Sequence, residues 1–399
     1  MSKVSTDKEK IKDILTRGVH EIFTYKELEE KLLSGKQLHI KLGIDVTGPL
    51  IHLGHAVVQR KIRDFQELGH RVTLIIGDFT TLIGDHSDKV DMRDETNTHD
   101  IAENEKTYVE QFFKTVIPEQ VEIRHNSEWL KPLDFNQIIN LAKQFTVSQM
   151  LDRETFMLRY KANKPIGLDE FLYPLMQGYD SVVLKADVEM GGTDQTFNLL
   201  AGRKLMPAFN LKPQSAVVMK LLTGSDGRPM GKSLKNFIPV TASAIDMYGM
   251  VMSIVDEVIF DYFELSTRIP LEDIEKMKKE MNNGANPMIF KKMLAEEIVT
   301  FYHSTEDAKT AARVFEETVQ NKEISEELFT QSTSTGSQTI LDFIRKELGN
   351  KFSSGEIKRT ISQGGLELNG NKVTEPNSVH KFIKGDIIKF GKRTFIRLE

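Results

Sequence analysis

Two histidines three residues apart, His52 and His55, are the first side chains in this sequence with the types and spacing to do chemistry. Residues at that spacing share a face of a helix. At a helix's first turn they would stand among free backbone N–H groups and the positive end of the helix dipole, a setting that suits the phosphates of a nucleotide. Gly54, between them, lets a base come close. For an isolated pair the plainer reading is a cap and a surface residue. A zinc site is weaker still, because the chain has no cysteine and no carboxylate at ligand spacing nearby.

Three further groups stand out. Tyr173, Gln177 and Asp180, at i, i+4 and i+7, put a phenol, an amide and a carboxylate on one helical face, an odd choice for a core; facing solvent, they would carry no meaning. In Gly191-Gly-Thr-Asp-Gln195 the paired glycines let a ligand approach the backbone, and Asp194 could accept from ribose hydroxyls, although such a turn is common. From Leu221 to Asn236, Gly224, Gly227 and Gly231 make a mobile loop able to bring Lys232 and Ser233 over a phosphate. This Gly-Lys-Ser is not a P-loop, because Asp226 stands where the first glycine is required and no apolar strand leads into it.

The elements that must position these groups follow from pattern. Leu38 to Ile44 alternates as a strand and runs into a loop at Asp45, Gly48 and Pro49, after which a helix is expected from Leu53. Val72 to Asp78 is a second strand, completing a β-α-β unit. The alternation continues to about residue 222, which argues for a parallel sheet with nucleotide at the carboxyl ends of its strands. Residues 1–35 read as a helical arm, with Ile11, Ile14, Leu15, Val19, Ile22 and Phe23 at helical spacing. Residues 95–165 read as a helical insertion, and the helix from Leu168 to Leu184 should bend or loosen at Pro174. Residues 241–325 read as a charged helical domain and 326–337 as a polar linker. The last module, 338–399, should hold a helix from Ile340 and a second helix capped by Ser353 or Ser354 and ended by Gly364-Gly365. Short strands follow at Leu366–Leu368, Ile387–Phe390 and Thr394–Leu398.

Composition narrows the class. With 399 residues, 39% hydrophobic and 28% charged, the chain has length for two or three globular domains. It has no run of about 18 apolar residues to span a membrane, and its first ten residues lack the apolar core of a secretory signal, so a cytoplasmic protein without membrane partners is expected. Zero cysteines exclude disulfides and thiolate catalysis. Residues 338–399 hold 12 Lys and Arg against 7 Asp and Glu, a net of +5, so the rest of the chain carries −10. That basic end is either a nucleic-acid surface or an ordinary solvated one.

Strand, Asp45-x-Thr47 loop, His-Leu-Gly-His and helix, in that order, resemble the first signature of the class I aminoacyl-tRNA synthetases. Gln363-Gly-Gly-Leu-Glu-Leu-Asn-Gly, Lys384-Gly-Asp-Ile and Gly391-Lys-Arg resemble an S4 RNA-binding domain. Together, over essentially the whole chain, the segments resemble the bacterial tyrosyl-tRNA synthetases. The fold this implies is α/β: a Rossmann-like parallel-sheet catalytic domain at 36–240 with a mobile loop at 223–235, then a helical anticodon-binding domain and an S4-like α+β domain. By the same resemblance Gly43, Asp45, Thr47, His52 and His55 lie at ATP, with Thr47 and the histidines on its phosphates. Gly192 and Asp194 would hold the ribose, and Lys232 with Ser233 the leaving pyrophosphate. Asp85, Tyr173 and Gln177 match the residues around the tyrosine ammonium, Gln195 lies near its carboxylate, and Asp180 matches the acceptor for its phenol.

The implied activity is formation of tyrosyl-adenylate from L-tyrosine and ATP with Mg2+, then transfer to the 3′ end of tRNA(Tyr) by a homodimer. No tightly bound cofactor and no protein metal site are implied. Three departures stand against the family pattern: Val46 for a proline, Pro229 for the first lysine of the second signature, and Lys41 for a second phenol-binding tyrosine. Arg228 is the candidate for the cation that Pro229 lacks. The alternatives are a tryptophanyl-tRNA synthetase, which shares the catalytic fold, and a non-catalytic RNA-binding paralogue.

Overall fold

A computed structural model describes residues 4–46, 48, 50–85, 98–230, 234–320, 328–391 and 394–399, with residues 98–100 and 320 described by backbone alone. Contacts divide the chain into two compact units, 1–308 and 309–399. The helices between residues 244 and 302 fall within the first unit, and the boundary lies inside the helix Thr305–Phe315.

Helix α1 (Lys8–Thr16) is capped by Asp7, whose carboxylate accepts from the N–H groups of Glu9 and Lys10. It stops short of Gly18, which lies at φ +63°, where a side chain would be strained. The chain then extends as β1 (Val19–Phe23) and pairs antiparallel with residues 216–219. The mostly helical arm expected for residues 1–35 therefore holds one strand, β1, between its two helices. Val19, Ile22 and Phe23 fit a helical period by chance, and the glycine before them turns the chain into the edge of the sheet.

After α2 (Tyr25–Leu33) come β2 (His39–Ile44), α3 (Leu53–Glu67), β3 (Arg71–Ile76), α4 (Thr98–Phe112) and β4 (Val121–His125). Next are the short helices α5 (Ser127–Leu130), α6 (Phe135–Ala142), α7 (Val147–Leu151) and α8 (Glu154–Lys161), followed by α9 (Tyr173–Leu184), β5 (Val188–Gly192), α10 (Thr196–Leu205) and β6 (Ser215–Met219). The sheet order is β1-β6-β5-β2-β3-β4, parallel throughout except for β1. From β2 the chain winds outward one way through β3 and β4, and then returns on the other side through β5 and β6. The carboxyl ends of β2 and β5 thus flank the point where winding reverses, where open α/β sheets bind ligands.

Two expectations change here. The 95–165 insertion contains β4, paired in register with β3, so it is partly sheet edge; five residues were too few to show above the surrounding helical pattern. Helix α9 starts at Tyr173 with Pro174 in its first turn, where a missing N–H breaks no hydrogen bond, so no bend results. Helices α11 (Ala244–Met252), α12 (Ile259–Ser266), α13 (Leu271–Asn282), α14 (Pro287–Tyr302) and α15 (Thr305–Phe315) follow.

In the second unit β7 (Phe329–Ser332) and β8 (Gly336–Thr339) lie where a linker was expected. They are polar and individually marginal, and become strands by pairing with segments far along the chain. Helices α16 (Ile340–Leu348) and α17 (Ser354–Ser362) precede β9 (Leu366–Leu368), β10 (Asn371–Val373), β11 (Val379–Phe382), β12 (Ile387–Phe390) and β13 (Thr394–Leu398). Ser353 caps α17 through a reciprocal pair with Glu356. Phe343 stacks on Phe382 at 4.0 Å in a core that includes Ile344, Ile357 and Ile396.

Candidate active site

Helix α3 begins one residue after His52, which occupies the cap position, so the histidine pair does stand at a helix N-terminus. The two rings stack with centroids 3.8 Å apart, and His55 Nδ1 accepts from the His52 backbone N–H at 3.3 Å. The chain after the glycine loop closes against them: Leu53 N–H donates to Ile238 O at 3.0 Å, and Val240 N–H to Ile51 O at 3.1 Å. A Cβ on Gly54 would come within 2.9 Å of Met230 Sδ and 3.0 Å of His52 Nδ1, so this turn admits only glycine without displacement.

The histidines, Gly43, Asp45, Gly191, Gly192, Asp194, Pro229 and Met230 line a cleft of about 660 Å³. Gly43 leaves its floor open, and a Cβ on Gly192 would press on Asp194 and Leu221. A second cavity of about 210 Å³ opens from it through the shared residues Gly43, Asp45, Gln177, Asp194 and Gln195, and is closed by Asp85, Asn126, Tyr173 and Asp180. The helical face Tyr173–Gln177–Asp180 therefore points into a pocket and not into solvent. Thr47, Lys232 and Ser233 lie outside the described residues.

The small cavity is polar and buried. Tyr173 O–H donates to Asp45 Oδ2 at 3.0 Å, and Thr80 O–H to Asp45 Oδ1 at 2.9 Å. Asp85 is held by Arg153 at 2.5 Å and by Gln195 Nε2–H at 2.6 Å, which keeps a carboxylate aimed at the junction of the two cavities. Asp180, 3% exposed, accepts from Trp129 Nε1–H at 2.8 Å. Burial pushes its carboxyl up to about 7, against the opposing pull of the Lys41 ammonium and the Trp129 hydrogen bond. Trp129, Asn126, Thr80 and Arg153 carried no signal in the sequence, since each is a lone residue on a short helix or loop.

Lys41 does not reach the pocket as a substitute for a phenol-binding tyrosine. Its Nζ is fully buried and donates to Gln177 O at 2.8 Å, Ser181 Oγ at 2.9 Å and Glu189 Oε1 at 2.8 Å. Gln177 Nε2–H also donates to Glu189 Oε1, at 3.2 Å. The lysine thus ties β2 and β5 to the two turns of α9 that flank Asp180. Replacing it with methionine would leave Glu189 charged and uncompensated, so Lys41→Met is expected to destabilise by about 3–5 kcal/mol, with Lys41→Met/Glu189→Gln recovering part of the loss. Thermal melts of the two variants check this; equal melting temperatures for Lys41→Met and wild type would show that the pair holds nothing.

Arg228 is likewise not in the cleft. Its guanidinium lies 63% exposed and grips Asp226 at 2.6 Å, because the turn at Gly227 folds the two side chains together.

A parallel sheet with its cleft at the switch point, a stacked histidine pair at a helix N-terminus and a Gly-Gly-Thr-Asp turn lining the same cleft are the arrangement expected from the resemblance to class I synthetases. Residues 33–320 match the family model of tRNA synthetases class I (W and Y). The chain is 45% identical over 397 residues to a tyrosine–tRNA ligase of Carboxydothermus hydrogenoformans, covering 97% of each, and 44% identical to one of Haemophilus influenzae, covering 96% and 95%. The same fold is found in a C-terminally truncated mitochondrial tyrosyl-tRNA synthetase of Aspergillus nidulans, with a TM-score of 0.64 at 21% identity over 76% of this chain and 92% of that one. The chain belongs to the tyrosine–tRNA ligase family.

Proposed function

We propose that the small cavity takes the tyrosine side chain and the larger cleft takes ATP, so that the tyrosine carboxylate meets the α-phosphorus where the two join. Attack there breaks the bond to pyrophosphate and forms tyrosyl-adenylate, which the terminal ribose of tRNA(Tyr) then attacks. The observation that carries this reading is the junction itself: Asp85, Gln195 and Asp194 surround an opening between a polar cavity ending at Asp180 and a glycine-lined cleft ending at the histidines. Asp180 accepts a hydrogen bond from the phenol O–H, while Asp85, Tyr173 and Gln177 face the ammonium. His52 and His55 bind the phosphates, and Gly192 and Asp194 the ribose. Catalysis is by positioning and by donors aimed at growing charge, with no protein nucleophile.

Mg2+ arrives with ATP, since it retains phosphate and water ligands readily; among the described residues no group of three or more His, Cys, Asp or Glu gathers for a metal. Lys232 and Ser233 act on the leaving pyrophosphate, a role supported by the family signature alone. Among the described residues no helix is long and apolar enough to cross a membrane. The exposed apolar side chains of Phe135, Val147 and Tyr160, 62–77% accessible, support a dimer contact through the insertion. The basic surplus of residues 338–399 supports a role there in holding tRNA.

Exchange of pyrophosphate into ATP tests the reading. Exchange is expected with tyrosine and not with tryptophan, and a chain ending at Gln320 should retain it while losing most tRNA charging. Tryptophan-dependent exchange would favour the tryptophanyl alternative, no exchange the RNA-binding paralogue, and equal loss of both steps on truncation would remove the division of labour.

A further inference from the structure

A charge pair lies under α9, beside the small cavity but not in its lining. Lys41 of β2 and Glu189 of β5 are 0% and 1% exposed, and the directions of their hydrogen bonds fix their charges. Among the described residues Lys41 Nζ meets only acceptors, Gln177 O, Ser181 Oγ and Glu189 Oε1, so it is an ammonium. Glu189 meets donors on both oxygens: Gln177 Nε2–H beside the lysine on Oε1, and Ser181 O–H at 2.8 Å with Gln214 Nε2–H at 3.0 Å on Oε2. It is therefore a carboxylate. Ser181 gives its proton to Glu189 and accepts from the lysine, which closes a ring of three side chains.

The ring is anchored to α9 at Gln177 and Ser181, about one helical turn apart. Asp180 lies within that turn and lines the cavity. An ammonium bonded at both ends of the turn fixes its height and rotation, and with them the direction of the Asp180 side chain. The other charged groups near that carboxyl are mostly acidic. Glu189 is bonded to the lysine, and Asp45, Asp85 and Asp194 line the same cavity, where Arg153 is taken up by Asp85 and Tyr173 donates to Asp45.

A buried carboxyl among other acids tends to keep its proton, and a protonated carboxyl is the weaker acceptor. We propose that Lys41 is a positioning residue for phenol recognition: it fixes the turn of α9 that carries Asp180 and keeps a positive charge close to the carboxylate that accepts from the substrate. The inference rests on the reading of Asp180 as the phenol's acceptor, and it gives the strands beneath α9 the task of setting that acceptor's direction and charge. A tyrosine at this position would touch the phenol itself, whereas the lysine acts through Asp180. The electrostatic balance agrees. Burial raises the Asp180 carboxyl, the Lys41 ammonium is the largest pull the other way, ahead of the Trp129 hydrogen bond, and Glu189 adds to the rise.

The test is the pH profile of kcat/KM for pyrophosphate exchange in the full chain, taken as the ratio of tyrosine to phenylalanine so that titrations common to both substrates cancel. Wild type is compared with Lys41→Met, Glu189→Gln and the double variant. Loss of the lysine should move the midpoint of the ratio up by about one pH unit, and loss of the glutamate should move it down. The double variant should fall between wild type and Lys41→Met, because the lysine's pull exceeds the glutamate's push. A bridge that only holds the fold would slow both substrates together and leave all midpoints equal, which would overturn the proposal. If Lys41→Met does not fold, the midpoints of Glu189→Gln and the double variant decide. A wild-type ratio with no midpoint between about pH 6 and pH 8 would remove Asp180 as the reader and Lys41 with it, whereas a wild-type midpoint that no variant moves would remove Lys41 alone.

Discussion

Asp180→Ala is expected to remove most of the preference for tyrosine over phenylalanine. Tyrosyl-tRNA synthetases discriminate between the two by about 10⁵ without editing, a measured property of this class of enzyme. In this chain Asp180 is the carboxylate that closes the pocket, and phenylalanine would leave it buried without the phenol's proton. An apolar alanine has no such penalty, so discrimination should fall to about 10²-fold or less, as in pockets that merely tolerate an extra hydroxyl.

The carboxyl also titrates. Because burial raises it to about 7 in the folded chain, against about 3.9 unfolded, it is protonated in the native state below 7 and ionised above. The ionised carboxylate is the stronger acceptor for a phenol O–H, so tyrosine binding should tighten between about pH 6 and pH 8 while phenylalanine binding does not. Over the interval between the two values the folded state holds the extra proton, so this residue's contribution to stability falls as pH rises. Exchange kinetics with both amino acids across that range are the measurement. A discrimination ratio that Asp180→Ala leaves intact would assign phenol reading to another group.

The second large effect is expected at the histidines. Single variants His52→Asn and His55→Ala should lower kcat for tyrosine-dependent exchange by about 10²–10³, the usual loss when one donor to a developing charge is removed. KM for tyrosine should change little, because neither ring lines the small cavity. Asparagine at position 52 preserves a capping side chain, so a drop in kcat is not a melted helix. The rings stack at 3.8 Å and His55 accepts from the His52 backbone, so the pair should behave as a unit. The double variant should lose less than the product of the single losses. Multiplicative losses would mean that the two contact separate groups, and a raised KM for tyrosine with unchanged kcat would remove both from the phosphate site.

Local pattern carried the parts of this molecule whose meaning is local. The His52–His55 spacing, the Tyr173–Gln177–Asp180 face and the Ser353 cap each belong to one helix, whose geometry alone fixes what shares a face, and the Gly191-Gly-Thr-Asp turn is contiguous in sequence. Those features, taken in order, were enough for the catalytic fold and the family. Partner-dependent features were not legible. Strands β1, β4, β7 and β8 are four or five residues long and exist because distant segments pair with them. Lys41 illustrates the difference within one strand. The alternation of β2 predicts a polar face, yet helices cover both sides of a parallel sheet, so His39 and Lys41 are as buried as Ile40. Where the lysine's charge would go depended on Glu189 and Ser181, more than 130 residues away in sequence, and only the packing of β2 and β5 under α9 brought them together.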